Sequence, residues 1–179
     1  TLDQAAAALR AAGAEALPIA ANASDADGVK TMITKVIDTY GGLDILVNNA
    51  ATNPHFGPLL SAQESQWDKI LDVNIKGYVR TIQAGVDSMR QRGGGKIINI
   101  ASILGFQAQP NMGIYCISKA GVLMLTEVLA LELAADNIQV NAIAPGFIRT
   151  QFSRVLWETP EAYQTLTRHI PQGRIGTPE

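Results

Sequence analysis

Disulfide chemistry is excluded from the start: the 179 residues contain one cysteine, Cys116, which can form no internal bridge and fits a reducing compartment. It precedes an apolar helix face and reads as a packed thiol. Histidine is almost as scarce. His55 and His169 stand alone, with no carboxylate or second histidine at metal-ligand spacing, so both are expected at the surface and no metal centre is expected. There is no basic excess. Fourteen Lys and Arg against sixteen Asp and Glu give a net charge of −2, which argues against a nucleic-acid partner. No run of about 18 apolar residues suggests a membrane span. The opening TLDQAAAALRAAG reads as an amphipathic helix without the charged region that leads a signal peptide. An initiator methionine is also lacking, and an upstream segment is expected to be missing. With no internal repeat, linker or second-domain boundary, residues 1–179 read as a single partial domain.

What is present is an alternation of helices and short apolar strands. Thr1 to Ala12 is Ala-rich and helical, closed by Gly13. Ala16 to Ala20 is a strand candidate. Ser24 or Asp25 caps a helix over Ala26 to Tyr40, which stops at Gly41-Gly42. Leu43 to Val47 is a strand, and Ser61 to Arg92 reads as helix in two pieces, with Ser61 and Glu64 at capping-box spacing. Lys96 to Ala101 is a strand, Gly113 to Ala135 a helix, and Ile138 to Ala144 a strand ending at Pro145-Gly146. The rest is irregular or short-helical. This order predicts an α/β fold with a parallel sheet, its strands apolar at nearly every position because helices cover both faces. Ligands in such sheets sit at the carboxyl ends of the strands. Asn22, Asn48, Ser102 and Pro145-Gly146 each follow a strand directly.

Tyr115 and Lys119 lie four residues apart on the last long helix, so both can point into one site. A phenol titrates near ~10, and a fixed cation beside it favours the phenolate and draws its pKa toward neutrality. Ser102, thirteen residues upstream, can donate to and accept from a substrate oxygen. The same spacing also suits a half-buried helix tyrosine with its hydroxyl in water. The convergence of polar residues at strand ends favours the functional reading.

Taken together, NNAA (48–51), Asn74 in DVNIKG, Ser102 in NIASILG, the pair in YCISK and the PGFIRT loop resemble the motifs of the short-chain dehydrogenase/reductase family, in order and with family spacing. The resemblance implies a Rossmann-type doubly wound parallel sheet, and hydride transfer between a nicotinamide cofactor and a carbonyl or alcohol. It implies a catalytic set of Asn74, Ser102, Tyr115 and Lys119. Tyr115 would be the general acid and base, and Lys119 would lower its pKa and hold the nicotinamide ribose. Ser102 would orient the substrate oxygen, and Asn74 would hold a water leading from Lys119 to solvent. For the cofactor it implies Asn48 at the adenosine ribose, the Ala50-Ala51 backbone beneath it, and Asn22 near the adenine amino group. Beyond Pro145-Gly146 it implies the Ile148 backbone N–H and the Thr150 hydroxyl at the carboxamide. Ala51 stands where the family has glycine, a strained choice if φ must be positive. Phe152, Leu156 and Trp157 fall at the family's mobile lid, or pack a short helix.

NNAATNPHFG, the RGGG turn and TQFSRVLW most resemble the NADPH-dependent carbonyl and retinal reductase branch, and 3-oxoacyl-carrier-protein reductases share the general motifs. NADP is thereby placed ahead of NAD, although the segment that reads the ribose 2′ position is absent. The partners implied are a small carbonyl or alcohol substrate and a second copy of the chain, docked through helices 74–89 and 113–135 as a homodimer or homotetramer. A catalytically silent binding protein on the same fold is the rival reading. No Gly-x-x-x-Gly-x-Gly phosphate loop occurs, so the first, second and seventh strands of the sheet are expected to be missing. The expected location is cytoplasmic, or peroxisomal in a eukaryote.

Overall fold

The structure is a computed structural model and describes residues 1–178. Three parallel strands form its sheet: β1 (Ile45–Asn48), β2 (Gly95–Ile100) and β3 (Ile138–Ile143), in the order β1-β2-β3. Register is set by pairs such as Val47 with Ile98 and Ile98 with Asn141. Six helices accompany them: α1 (Leu2–Ala11), α2 (Ala26–Tyr40), α3 (Glu64–Leu71), α4 (Gly77–Gln91), α5 (Gly113–Glu132) and α6 (Pro160–Thr167).

Local chemistry fixes most boundaries. Thr1 and Gln4 close a capping box on α1, and Asp25 caps α2 by accepting from the Gly28 N–H at 3.1 Å. Gly41 ends α2 in the left-handed region at φ 77°, where glycine has no Cβ to clash. The capping box of α3 is Gln63 with Gln66, not Ser61 with Glu64. Ser61 instead belongs to a short 3₁₀ turn, with its hydroxyl on the Pro58 carbonyl. A π-helical turn over Asp72–Lys76 joins α3 to α4, a local widening common at functional sites.

Ala16–Ala20 is not a strand. It pairs with no neighbour among the described residues, and a side chain supplies the partner of one of its carbonyls, Arg10 donating to the Ala16 oxygen at 2.7 Å. The apolar run was legible, but strand pairing needs an adjacent strand.

The core beneath the sheet packs Ile33 of α2 and Ile82 and Met89 of α4 against Leu46, Ile97, Ile138 and Val140. On the opposite side of β1, Ile45 and Val47 are exposed. By length and hydropathy α5 alone matches a bilayer span among the described helices, a match the sequence reading did not anticipate. It is nonetheless a helix of the protein interior on one face, with Ile114, Tyr115, Lys119, Val122 and Thr126 buried. Its other face shows Ile117, Met124, Val128 and Leu131, one stripe at helical spacing. Helix α4 carries no such stripe: between residues 74 and 89 only Lys76, Gln83 and Asp87 are exposed. Contacts divide the chain into two compact units, residues 1–143 and the part from Ala144 onward.

Candidate active site

The end of β2 organises the site. Ser102 leaves the strand in extended conformation and caps a 3₁₀ turn, its Oγ accepting from the Leu104 N–H at 3.1 Å. Gly105 in that turn lies against α5 so closely that a Cβ there would sit 2.9 Å from the Lys119 carbonyl oxygen. This contact brings Ser102 beside the first turns of α5, and its hydroxyl hydrogen-bonds the Tyr115 phenol. Lys119, one turn on, places Nζ 5.7 Å from the Tyr115 ring centroid and donates to the Ile100 carbonyl at 2.6 Å.

The electrostatics differ from the expectation that Lys119 lowers the Tyr115 pKa. Burial pushes the Tyr115 phenol up, the Ser102 hydrogen bond offsets part of this, and Cys116 adds a smaller rise. Burial also lowers Lys119, to about 8. Desolvation acts on both groups, disfavouring the charged form of each.

Asn74 is fully buried in the π turn. Its Oδ1 accepts from the Thr52 N–H at 2.8 Å, and its Nδ2 donates to the Thr52 carbonyl at 3.1 Å and to Ser118 Oγ at 3.0 Å. Ser118 in turn donates to the Tyr115 carbonyl at 2.8 Å. Asn74 thus ties the loop after β1 to the turn of α5 that carries Tyr115. Ser102, Tyr115, Lys119 and Asn74 therefore belong to one connected group.

The cofactor candidates are distributed less evenly. Asn48 is buried, with Nδ2 donating to Asn99 at 2.9 Å and Oδ1 accepting from Thr81 at 2.6 Å. Its side chain thus belongs to an interior relay that continues from Asn99 to Thr126. Ala50 is exposed, and Ala51 has no positive φ, so alanine is unstrained there. Asn22 is exposed, and its Oδ1 accepts from the Ser24 N–H at 3.0 Å, an Asx turn. Arg80 anchors that loop by donating to the Ala23 carbonyl at 2.9 Å while pairing with Asp72 at 2.6 Å. The guanidinium holds the Asp72 carboxyl below the usual range.

In the unit from Ala144 onward, Pro145 and Ile148 are half-buried, and Gly146 and Thr150 exposed. Ser153 is the hub of that loop. Its Oγ donates to the Ile148 carbonyl at 2.5 Å and accepts from the Thr150 N–H at 3.1 Å and from Trp157 Nε1 at 3.0 Å. The Trp157 ring also stacks under Arg149 at 4.8 Å, so it packs a short turn. His55 is a correction: it is 8% exposed, with Nε2 3.3 Å from Ser61 Oγ and Nδ1 unpartnered. His169 is exposed as expected. The loop around His55 carries an apolar phenylalanine and several turn residues, and only tertiary folding shows that its histidine turns inward.

The residues missed from sequence are Thr52, Ser118 and Tyr78. Tyr78 is 1% exposed, and its hydroxyl donates to the Ile100 carbonyl at 3.0 Å, the same oxygen that Lys119 holds. Its place one turn beyond Asn74 was the available signal.

The family model described as short chain dehydrogenase matches residues 1–161. Dehydrogenase/reductase SDR family member 4 of Bos taurus is 42% identical over 178 residues, covering 99% of this chain and 64% of that protein. The 3-oxoacyl-[acyl-carrier-protein] reductase FabG of Thermotoga maritima is 40% identical over 162 residues, 90% of this chain and 65% of its own length. The chain thus spans about 64% of the first of these relatives. Among solved structures, NAD+-bound xylitol dehydrogenase superposes with a TM-score of 0.92 at 29% identity, covering 98% of this chain and 73% of its own. A gluconate 5-dehydrogenase from Burkholderia cenocepacia, in complex with NADP and tartrate, gives 0.91 at 32% identity, covering 97% and 68%. On its strand order, its connected polar group at the end of β2 and these likenesses, the chain belongs to the short-chain dehydrogenase/reductase family.

Proposed function

We propose that the protein carrying this chain is a nicotinamide-dependent oxidoreductase acting on a carbonyl/alcohol pair, with Tyr115 as the general acid and base. The observation that carries this reading is the joining of Ser102, Tyr115 and Lys119 at one strand end, with the Ser102 hydroxyl on the phenol. The residues fit the cofactor by the chemistry of their donors. An ammonium has three N–H groups, and Lys119 commits one, to the Ile100 carbonyl, leaving two for the ribose hydroxyls. When bound, the nicotinamide supplies or takes the hydride. Tyr115 gives its proton to the carbonyl oxygen in reduction and recovers one in oxidation, while Ser102 holds that oxygen in line. A buried, protonated phenol suits the reductive direction at neutral pH.

Asn74 supports the site by fixing Thr52, in the loop that follows Asn48, against α5. Asn22, Pro145, Gly146, Ile148 and Thr150 are proposed cofactor contacts on the strength of their motifs. NADP is proposed ahead of NAD on the likeness of the connecting segments, and the similar structures include one with each. A second reading, reduction of 3-oxoacyl thioesters, is favoured by the 40% identity to FabG. The exposed stripe on α5 further suggests self-association about a two-fold axis, through α5 rather than α4.

The test is the oxidation of NADPH and NADH by the full-length protein, followed by absorbance, with ketones, aldehydes and a 3-oxoacyl thioester. Turnover that Tyr115→Phe abolishes is expected. No turnover of any carbonyl with either cofactor would overturn the reading.

A further inference from the structure

Among the described residues, no acid balances the buried lysine of this site. Lys119 is 1% exposed, and burial alone accounts for its lowered pKa, with no carboxylate contributing. Among the described residues its one hydrogen bond runs to the Ile100 carbonyl. What surrounds the cation is aromatic. The Tyr115 ring lies at 5.7 Å on its own helix and the Tyr78 ring at 5.6 Å on α4. Among the described residues these two phenols are the titratable groups that face it.

We propose that Tyr78 is a positioning residue of the active site, its ring face carrying part of the Lys119 charge, with its hydroxyl bonded to the same sheet-held Ile100 carbonyl as the ammonium. The inference rests on the reading of Tyr115 and Lys119 given above, and adds a residue that acts through Lys119. Three features support it. Tyr78 is itself buried, so its ring is held in place by packing. Its hydroxyl and the Lys119 ammonium converge on one oxygen, at 3.0 and 2.6 Å, which ties the ring to the cation it faces. That oxygen belongs to the last residue of β2, and the next N–H, of Ala101, is bonded to the Ile143 carbonyl at 2.8 Å. The acceptor is therefore fixed by the sheet.

A desolvated cation over an aromatic ring gains on the order of one pKa unit in favour of the charged form. Because burial has already brought Lys119 near the working pH range, a change of that size decides whether it is charged during turnover. The test compares Tyr78→Phe, which keeps the ring, with Tyr78→Leu, which does not, in the full-length protein. The readout is the pH profile of kcat/KM for carbonyl reduction. Tyr78→Leu is expected to move the alkaline limb down by about one unit. Tyr78→Phe is expected to leave the limb where it is in the unaltered protein. A uniform loss at every pH in Tyr78→Leu, with the limb unmoved, is the mark of packing alone and overturns the proposal. So does a Phe variant that shifts as far as Leu. Should Tyr78→Leu fail to fold, pentafluorophenylalanine at position 78 keeps the shape and reverses the ring's electrostatics; the same downward shift is then expected, and its absence counts against the proposal. Tyr115→Phe separates the two layers. If it stays active, the site reading itself fails; if it is inactive while the limb never moves in Tyr78 variants, only this inference falls.

Discussion

Asn74 grips Thr52 at both ends of the residue, accepting from its N–H at 2.8 Å and donating to its carbonyl at 3.1 Å. A side-chain amide carries its acceptor and its donors on separate atoms, which lets it do both at once along one residue's backbone. The grip sits in the π turn, where an extra residue in the helical circuit aims Asn74 at the loop beyond β1. Asn74→Leu leaves Thr52 and Ser118 without these bonds in a buried setting. The expected loss of stability is about 2–4 kcal/mol, read from urea unfolding, together with loss of carbonyl reduction. A stability unchanged within error would refute the clamp.

Tyr115→Phe keeps a buried ring and removes only the hydroxyl. Carbonyl reduction is expected to fall by about 10²–10⁴-fold in kcat/KM, with cofactor affinity nearly intact. The check is steady-state kinetics beside cofactor titration by fluorescence.

Lys119 titrates near 8 in the folded protein against 10.5 in the open chain. A folded value below the unfolded one means that the unfolded chain binds the extra proton, so this group opposes folding fully below about 8. The penalty is relieved as pH climbs from there toward 10.5. Lys119→Met is therefore expected to gain about 1–3 kcal/mol of stability at neutral pH while losing activity, since the Ile100 carbonyl keeps its Tyr78 donor. Denaturation of both proteins across pH checks the sign: the gain must shrink with rising pH.

Gly105 meets the Lys119 backbone with no room for a methyl, the nearest atoms being Leu123 Cδ1 at 2.8 Å and the Lys119 carbonyl at 2.9 Å. Its φ is not positive, so the demand is for space alone. Gly105→Ala is expected to part the Ser102 turn from α5, costing about 1–3 kcal/mol and most of the activity. Thermal melting and turnover measure both. A variant with unaltered activity would mean that the turn and α5 move together freely.

The α5 stripe ends in Leu131, 82% exposed. Leu131→Glu is expected to weaken self-association without unfolding the chain, as seen by light scattering at several concentrations. Equal masses for the two proteins would argue against docking through this face.

Helix α2 and the strand β2 were legible in the sequence to within a residue, because a capping Asp25, a terminal Gly41 and an apolar run act locally. The same holds for Tyr115 with Lys119, whose spacing on one helix needs no tertiary contact to put them on one face. Ser102 was legible through its place at a strand end. Other features depended on partners far away in the chain. Ala16–Ala20 has strand composition and, among the described residues, no strand beside it. His55 turns inward although its neighbours read as a loop. The Asn48 amide, expected at a ribose, is bonded to Asn99 and Thr81, 51 and 33 residues away. The charge state of the central pair was the feature least open to sequence. Spacing sets which groups can meet, but pKa depends on how much water the fold removes, and only the packing of α4 and β2 around Lys119 decides that. The sequence by itself determined the family, the order of most elements and which polar residues could share one site. Tertiary structure decided which of those groups are buried, what holds them, and that Tyr78 stands over the lysine.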